Sequence, residues 1–227
     1  MGFKRIILPK KFLTDDKLTA AMADIGIRVG QKPALKGPNI EDVLLSASLE
    51  ALENLDWRTL SLVVQWFCTH SAIINVDRLT RMLTELKDHK ELVIFWSALA
   101  QTTKHDLRFK RLQELYKGRR SLLGDNSSKM LLKRNGEDER FKDTVLIVPN
   151  KMLRERESDI LELKELVKIH QGAYYRVMLG PSYRADCFCE LIKDKSITAS
   201  ETARLSYSSF KTAWDAKNDW EVIKIAS

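Results

Sequence analysis

The sequence predicts a mainly α-helical protein, with a large N-terminal helical domain followed by a smaller C-terminal helical domain. Glycine and proline are few, 9 and 5 in 227 residues, which disfavours a turn-rich β protein. Apolar residues recur at three- and four-residue steps over long stretches, as they do on the buried face of a helix. Residues suited to capping helix N-termini stand before several of these stretches.

Residues 1–116 are expected to form the N-terminal domain, a helical bundle that binds a partner protein or mediates dimerisation. Asn39 is suited to cap a helix, whose buried face would consist of Val43, Leu44, Ala47, Ala51, Leu52 and Leu55. The segment Arg58–His70 is apolar nearly all round, which predicts a central helix. Further helices are expected to begin at Asn75 and to include Glu91–Ala100.

Residues 117–143 interrupt the helical pattern and are predicted to form a basic linker. The net charge of +7 is concentrated near this segment, because residues 101–156 carry 15 Lys/Arg and 8 Asp/Glu. The corresponding numbers are 13 and 12 for residues 1–100, and 10 and 11 for residues 157–227. Such cations could contact phosphate groups. The alternative is a solvated linker whose charges only maintain solubility.

The third region, residues 144–227, is expected to be a separate domain. Val145–Val148 predicts a short strand that Pro149 ends. Charged residues with an apolar stripe predict a helix over residues 154–168. Another helix should begin at Ser182 and extend through Leu191.

Residues 197–216 have the pattern of a helix-turn-helix. Small Thr202 and Ala203 would allow a second helix to cross the first closely, and Leu205 would close the first helix into the core. The turn would be Ser206-Tyr207-Ser208. The inward face of the second helix would consist of its apolar residues, Phe210, Ala213 and Trp214. The outward face would carry hydrogen-bonding residues, Ser208, Ser209, Lys211, Thr212 and Asp215.

The segment Ile192–Asp215 resembles the winged helix-turn-helix of bacterial transcriptional regulators, in which a small-x-x-Leu-Gly-Tyr-Ser turn precedes the recognition helix. Arg184-Ala185-Asp186, at the start of the preceding helix, is also similar to that family, and Ser206 replaces the glycine of its turn. The resemblance implies that the C-terminal domain is a winged helix. Its wing would use a strand at Trp220–Ile225, which could pair with Val145–Val148.

This resemblance implies a transcriptional regulator that binds double-stranded DNA, as the antitoxin or repressor of a toxin–antitoxin or defence operon. A homodimer would match two half-sites. The helix-turn-helix residues expected to contact DNA are Tyr207, Ser208, Ser209, Lys211, Thr212 and Asp215. The nearby cations expected to contact phosphates are Lys195, Arg204 and Lys217. The linker cations expected to do so are Arg119, Arg120, Lys133 and Arg134.

Two other function classes stay open. A winged helix used only for protein contact would make the chain a non-enzymatic adaptor. Asp143 followed by Glu162-Leu163-Lys164 is similar to the Asp…Glu-x-Lys arrangement of metal-dependent nucleases, which place Glu-x-Lys on a strand. The sequence has no Gly-rich phosphate loop and no protease or esterase motif. No catalytic residue, metal or cofactor is therefore predicted.

The cysteines and the apolar runs bear on localisation. Cys68, Cys187 and Cys189 predict free thiols in a reducing compartment, and a zinc site with His170 is the alternative. The longest apolar run, Leu92–Ala100, is too short to span a bilayer, and the first residues lack a secretory signal. We therefore expect a cytoplasmic protein with no membrane association.

Overall fold

The computed structural model describes residues 5–225, and for residues 224 and 225 it describes the backbone only. This part of the chain is mainly α-helical, as predicted. The helices are α1 Asp15–Asp24, α2 Ile40–Glu53, α3 Trp57–His70, α4 Val76–Glu85, α5 Lys90–Gln101, α6 Lys110–Gln113, α7 Asn126–Asn135, α8 Leu163–Ile169, α9 Gln171–Leu179, α10 Tyr183–Lys193, α11 Ala199–Leu205 and α12 Phe210–Ile225. Two short strands, β1 Ser121–Leu122 and β2 Leu146–Ile147, pair in parallel.

Side-chain caps begin the central helices of the N-terminal region. The Asn39 carboxamide oxygen accepts hydrogen bonds from the backbone N–H groups of Glu41 and Asp42, at 3.0 and 3.4 Å. Asn75 caps α4 in the same way, so both predicted helix starts are confirmed. Each cap pairs a backbone donor that the first turn of a helix leaves without an intrahelical partner.

The first hydrophobic core is built around α3 and α5. Trp66 and Trp96 are fully buried, and each ring nitrogen finds an acceptor. Trp66 donates to the carbonyl of Ile25 at 2.7 Å, and Trp96 donates to the Ser48 hydroxyl at 2.9 Å. Buried tryptophans are tolerated when the indole N–H is paired. The all-round apolar character of α3 is thus explained by its central position.

The segment 117–143, predicted to be a linker, is folded onto this first core. It contains β1 and α7, and its Leu123 and Phe141 are buried among the core residues. Arg120 ties the segment down by donating to the carbonyls of Phe141, Thr144 and Leu146. The same core continues to Ala173 in α9. Although the segment is mostly polar, its two buried apolar residues, Leu123 and Phe141, pack into the core.

The charged helix predicted over residues 154–168 is wrong in its first half. Residues 157–159 form a 3₁₀ turn, Ile160 forms an antiparallel bridge with Ile27, and α8 begins only at Leu163. Burial of Ile160 against Ile27 holds the chain extended there. The bridge needs a turn at Gly26, whose φ is +88° and where a β-carbon would lie 3.2 Å from Leu166.

A second, smaller core lies between α10, α11 and α12. Its buried residues are Cys187, Phe188, Leu191, Ile197, Ala203, Ala213 and Ala216. Trp220 packs edge-on against Phe188, with ring centroids 6.1 Å apart. Trp220 lies within α12, which continues to Ile225, so the predicted strand at Trp220–Ile225 is wrong. The expected pairing with Val145–Val148 is wrong as well, because β2 pairs with β1.

No helix within residues 5–225 combines the length and the apolar character needed to cross a lipid bilayer.

Candidate nucleic-acid interface

Helices α10, α11 and α12 form a three-helix unit that contains the predicted helix-turn-helix. Thr202 and Ala203 are buried where α12 crosses α11, as the small residues predicted. Ser206 has a negative φ of −85°, and the left-handed residue of the turn is Tyr207, with φ +56°. The turn therefore forms without a glycine at Ser206. Leu205, expected to close α11 into the core, is instead exposed.

Tyr207 contacts the N-terminal region of the protein. Its hydroxyl donates to Asp42 at 2.8 Å, and the Arg78 guanidinium stacks on its ring at 3.9 Å. Burial, and then the Asp42 carboxylate, raise the pKa of Tyr207 above its ordinary value. Tyr207 was predicted to contact DNA, but in the structure its side chain joins the turn to α2 and α4.

Two other residues predicted to face DNA are engaged inside the unit. Ser208 is fully buried and its hydroxyl accepts a hydrogen bond from the Cys187 thiol at 3.4 Å, so its outward assignment is wrong. Ser209 caps α12, because its hydroxyl accepts from the backbone N–H of Thr212 at 3.1 Å. The two hydroxyls of Ser209 and Thr212 also pair at 2.8 Å. The predicted hydrogen-bonding face is thus largely used for local structure.

The inward face of α12 is one step away from the predicted one. Ala213 and Ala216 are completely buried, whereas Phe210 and Trp214 are 42% and 51% exposed. Small residues are needed inside because α10 and α11 both pack closely on α12. Only Ala213 of the predicted inward residues is correct.

The cations of the helix-turn-helix are mostly paired. Lys211 forms an ion pair with Asp215 at 3.1 Å, and Arg204 pairs with Glu201 at 2.9 Å. Lys217 donates to the carbonyl of Ile197 at 2.6 Å, while Lys195 is exposed. The unit thus presents little uncompensated positive charge.

A buried ion network joins this unit to the N-terminal region. Arg176 of α9 uses all five of its N–H donors: two to Glu41, two to Asp186 and one to the carbonyl of Ile73. Burial raises the pKa of Asp186, and Arg176 only partly opposes this. Burial acts in the same sense on Glu41, but Arg176 and Arg78 outweigh it and lower its pKa. The network sets the orientation of α10 relative to α2.

A second surface has the charge that the helix-turn-helix lacks. It is a groove of about 620 Å³ between one face of α3, Leu131 of α7 and the loop 151–159. Its apolar and aromatic lining consists of Trp57, Leu62, Leu131 and Met152. Its cationic lining consists of Arg58, Lys151, Arg154 and Arg156. Asp159 is the acidic residue of the lining. We call this surface the basic groove.

The four cations of the basic groove are exposed, and their side chains form no ion pair or hydrogen bond with any part of the chain that the structure describes. Several arginines elsewhere on the surface are paired: Arg81 with Asp77, Arg108 with Asp106 and Arg184 with Asp219. Asp159 is the acidic residue among these four cations, so the lining keeps an excess of positive charge that an anionic ligand would offset.

The loop that carries three of these cations is held firmly. Met152 and Leu153 are buried, and the backbone N–H of Arg154 donates to the Ser61 hydroxyl at 3.0 Å. Arg140 donates to the carbonyl of Leu153 at 2.6 Å and forms ion pairs with Asp138 and Glu155. The cations therefore project from fixed backbone positions.

The predicted linker cations have different surroundings. Arg120 was predicted to contact phosphates, but in the structure its guanidinium is occupied by Glu137 and by backbone carbonyls. Arg119 is exposed. Lys133 and Arg134 are exposed in the last turn of α7. The Asn135 carboxamide donates to the carbonyl of Asn150 at 3.3 Å, which places this turn beside the loop of the basic groove.

The nuclease candidates are not brought together as a metal site. Asp143 pairs with Lys104 and Glu162 pairs with Lys164, all with exposed side chains. Each lysine lowers the pKa of its partner carboxyl. Within residues 5–225 no group of three His, Cys, Asp or Glu side chains has the geometry to hold a metal ion. His170 is buried and bonded to the Pro38 carbonyl and the Ala173 N–H.

Comparison of the chain with protein-family models, with curated proteins and with solved structures finds no match.

Proposed function

We propose that the protein binds nucleic acid through the basic groove, in a non-enzymatic and regulatory role. The observation that carries this proposal is the convergence of Arg58, from α3, with Lys151, Arg154 and Arg156, from a loop almost a hundred residues later. Polyanionic backbones are the ligands that such clusters bind, and phosphate contacts dominate their affinity. Regulation of a toxin–antitoxin or defence operon, through binding of its DNA or of its transcript, is part of the same proposal.

The geometry supports phosphates better than isolated anions. Arginine presents a planar fork of donors that matches phosphate oxygens, and three of the four cations are arginines. Lys133 and Arg134 are exposed in the last turn of α7, which the Asn135–Asn150 hydrogen bond holds beside the loop of the groove, and in this proposal they extend the contact along a strand. The helix-turn-helix contributes less in this proposal, because Lys211, Arg204 and Lys217 are already engaged.

Two variants of equal charge test the proposal. The groove variant replaces the four lining cations by glutamine: Arg58→Gln, Lys151→Gln, Arg154→Gln and Arg156→Gln. The matched variant does the same on the helix-turn-helix: Lys195→Gln, Arg204→Gln, Lys211→Gln and Lys217→Gln. Fluorescence anisotropy with labelled oligonucleotides, single-stranded and duplex, would measure Kd from low to moderate salt for both variants and the wild type.

We expect the groove variant to lose most of its affinity, and the slope of log K against log salt to flatten by about 0.7–0.9 for each phosphate that the variant no longer binds. The matched variant should keep a slope close to the wild type. Thermal melting confirms that both remain folded. If the matched variant loses binding and the groove variant does not, the interface is the helix-turn-helix and the assignment to the groove is wrong.

The adaptor is the second candidate function, and exposed apolar residues favour it. Val177 and Met178 on α9 are 51% and 60% exposed, and Trp214 and Val222 on α12 are 51% and 68% exposed. Neighbouring exposed apolar side chains, such as Val177 and Met178, are typical of protein interfaces. Wild-type protein that shows no salt-dependent binding to any oligonucleotide would leave the adaptor as the better proposal.

A further inference from the structure

Besides its cations, the basic groove has an apolar and aromatic lining that phosphate groups would not contact. Trp57 lies in the first turn of α3, half-buried, and one edge of its ring is packed against Gly124, where a β-carbon would lie 2.9 Å from Cζ2. Leu62, Met152 and Leu131 provide further apolar surface in the same groove. Aromatic side chains interleaved with cations are the usual platform for unpaired bases.

We infer that the basic groove binds single-stranded nucleic acid, with a base stacked on Trp57 and the flanking phosphates held by the four lining cations. This inference rests on the proposed function and specifies its ligand. A volume of about 620 Å³ lies within the ~300–1,000 Å³ typical of small-molecule sites, so a base with its sugar and phosphate fits.

A duplex would use the groove poorly. Its bases are stacked inside the helix, so that only its sugar–phosphate backbone would meet the cations at the rim. The Trp57 ring and the apolar lining would then stay hydrated or empty. An unpaired strand instead places the π-face of a base against the indole, and every base has such a face. Binding should therefore be tolerant of sequence.

Two polar residues of the lining suit base edges. The side chains of Gln65 and Asp159 line the groove and form no hydrogen bond within residues 5–225. A carboxamide both donates and accepts, and a carboxylate accepts from exocyclic amino groups. In a duplex the Watson–Crick edges of the bases are paired with the opposite strand. Gln65 and Asp159 could therefore bind these edges only in an unpaired strand.

The experiment uses the full chain and four labelled probes of about 12 nucleotides, within the site sizes of single-strand binders. The probes are oligo(dT), oligo(rU), a duplex, and an abasic oligonucleotide that keeps the phosphates without bases. Trp57→Leu removes the aromatic face and keeps an apolar side chain, while Trp57→Phe restores an aromatic ring. Thermal melting shows whether each variant is folded.

We expect oligo(dT) or oligo(rU) to bind more tightly than the duplex and the abasic strand. Trp57→Leu should weaken that binding about 5- to 150-fold, the range that removal of one stacking interaction implies, and leave the abasic probe unchanged. Trp57→Phe should restore most of the affinity. The relative affinities for oligo(dT) and oligo(rU) then identify the strand as DNA or RNA.

Three results would overturn the inference. The duplex could bind as tightly as the single strands, with the groove cations required, which would keep the proposed function and reject the single-strand ligand. Trp57→Leu could bind all probes like the wild type, which would exclude stacking. Finally, polyglutamate could compete as well as unlabelled oligo(dT), which would identify an acidic protein as the ligand. Failure of every probe to bind would instead reject the proposed function itself.

Discussion

Replacing Arg176 by methionine should strongly destabilise the fold, because it leaves Asp186 buried without its counterion and leaves Glu41 with only Arg78, 3.8 Å away, as an ion-pair partner. Arg176 is 2% exposed and lies 2.6 and 2.7 Å from the two oxygens of Glu41, and 2.9 and 3.1 Å from those of Asp186. Methionine fills similar space but donates nothing. Breaking a buried pair by removing one partner costs about 3–5 kcal/mol.

The expected destabilisation of about 3–5 kcal/mol corresponds to a fall in Tm of roughly 6–20 °C for a chain of this size. Arg184→Met is the matched control, because it removes an arginine paired with Asp219 at 2.8 Å on the surface, with both side chains about half exposed. Surface ion pairs contribute about 0–1 kcal/mol, so this variant should melt within a few degrees of the wild type.

Differential scanning calorimetry at pH 7 and urea denaturation would measure both variants. The triple variant Glu41→Gln, Arg176→Met and Asp186→Asn adds a further check, since it removes the uncompensated charges and should recover part of the stability. If Arg176→Met and Arg184→Met melt at the same temperature, the buried network does not fix the orientation of α10 relative to α2.

Two further predictions concern α12 and pH. Ala213→Leu should destabilise the protein by about 1–3 kcal/mol, because α10 and α11 leave no room for the larger side chain. Trp214→Ala should change the stability by under about 1 kcal/mol, because Trp214 is half exposed. Equal destabilisation of the two variants in urea denaturation would contradict the inward face assigned to Ala213 and Ala216. Burial lowers the pKa of His170 from 6.5 to about 4, so the folded state keeps the imidazole neutral while the unfolded state protonates below 6.5. Stability should therefore fall by up to about 3 kcal/mol as pH drops from 6.5 to 4, and a His170→Gln variant whose stability falls just as steeply would show that other groups are responsible.

Local patterns were sufficient to predict most of the N-terminal helices. Asn39 and Asn75 cap α2 and α4 where the sequence indicated, because capping depends on residues only two or three positions away. The same local reasoning failed at Ile160, where a bridge to Ile27 replaces the expected helix. Such a bridge joins residues far apart in the chain, and helix periodicity contains no information about it.

Helices α11 and α12 show how a correctly predicted pair of helices can carry wrong side-chain assignments. Thr202, Ala203 and Ala213 are buried as the small-residue pattern predicts. Phe210 and Trp214 were predicted to face inward because they are apolar and lie on the same helix face as Ala213. Because α10, α11 and α12 pack closely, α12 has alanine where it meets the other two helices. The large side chains of Phe210 and Trp214 lie on its exposed side.

The basic groove could be predicted only in part, because its cations come from two segments with different charge. Lys151, Arg154 and Arg156 belong to residues 101–156, whose excess of Lys/Arg was evident in the sequence. Arg58 belongs to the first hundred residues, which have 13 Lys/Arg and 12 Asp/Glu, and to a helix whose apolar pattern predicted burial. Docking of the loop on Ser61 brings these charges to one groove, and that hydrogen bond spans 93 residues. A cluster formed by tertiary contact has no period or spacing in the sequence, so no sequence pattern could predict that Arg58 joins these three cations.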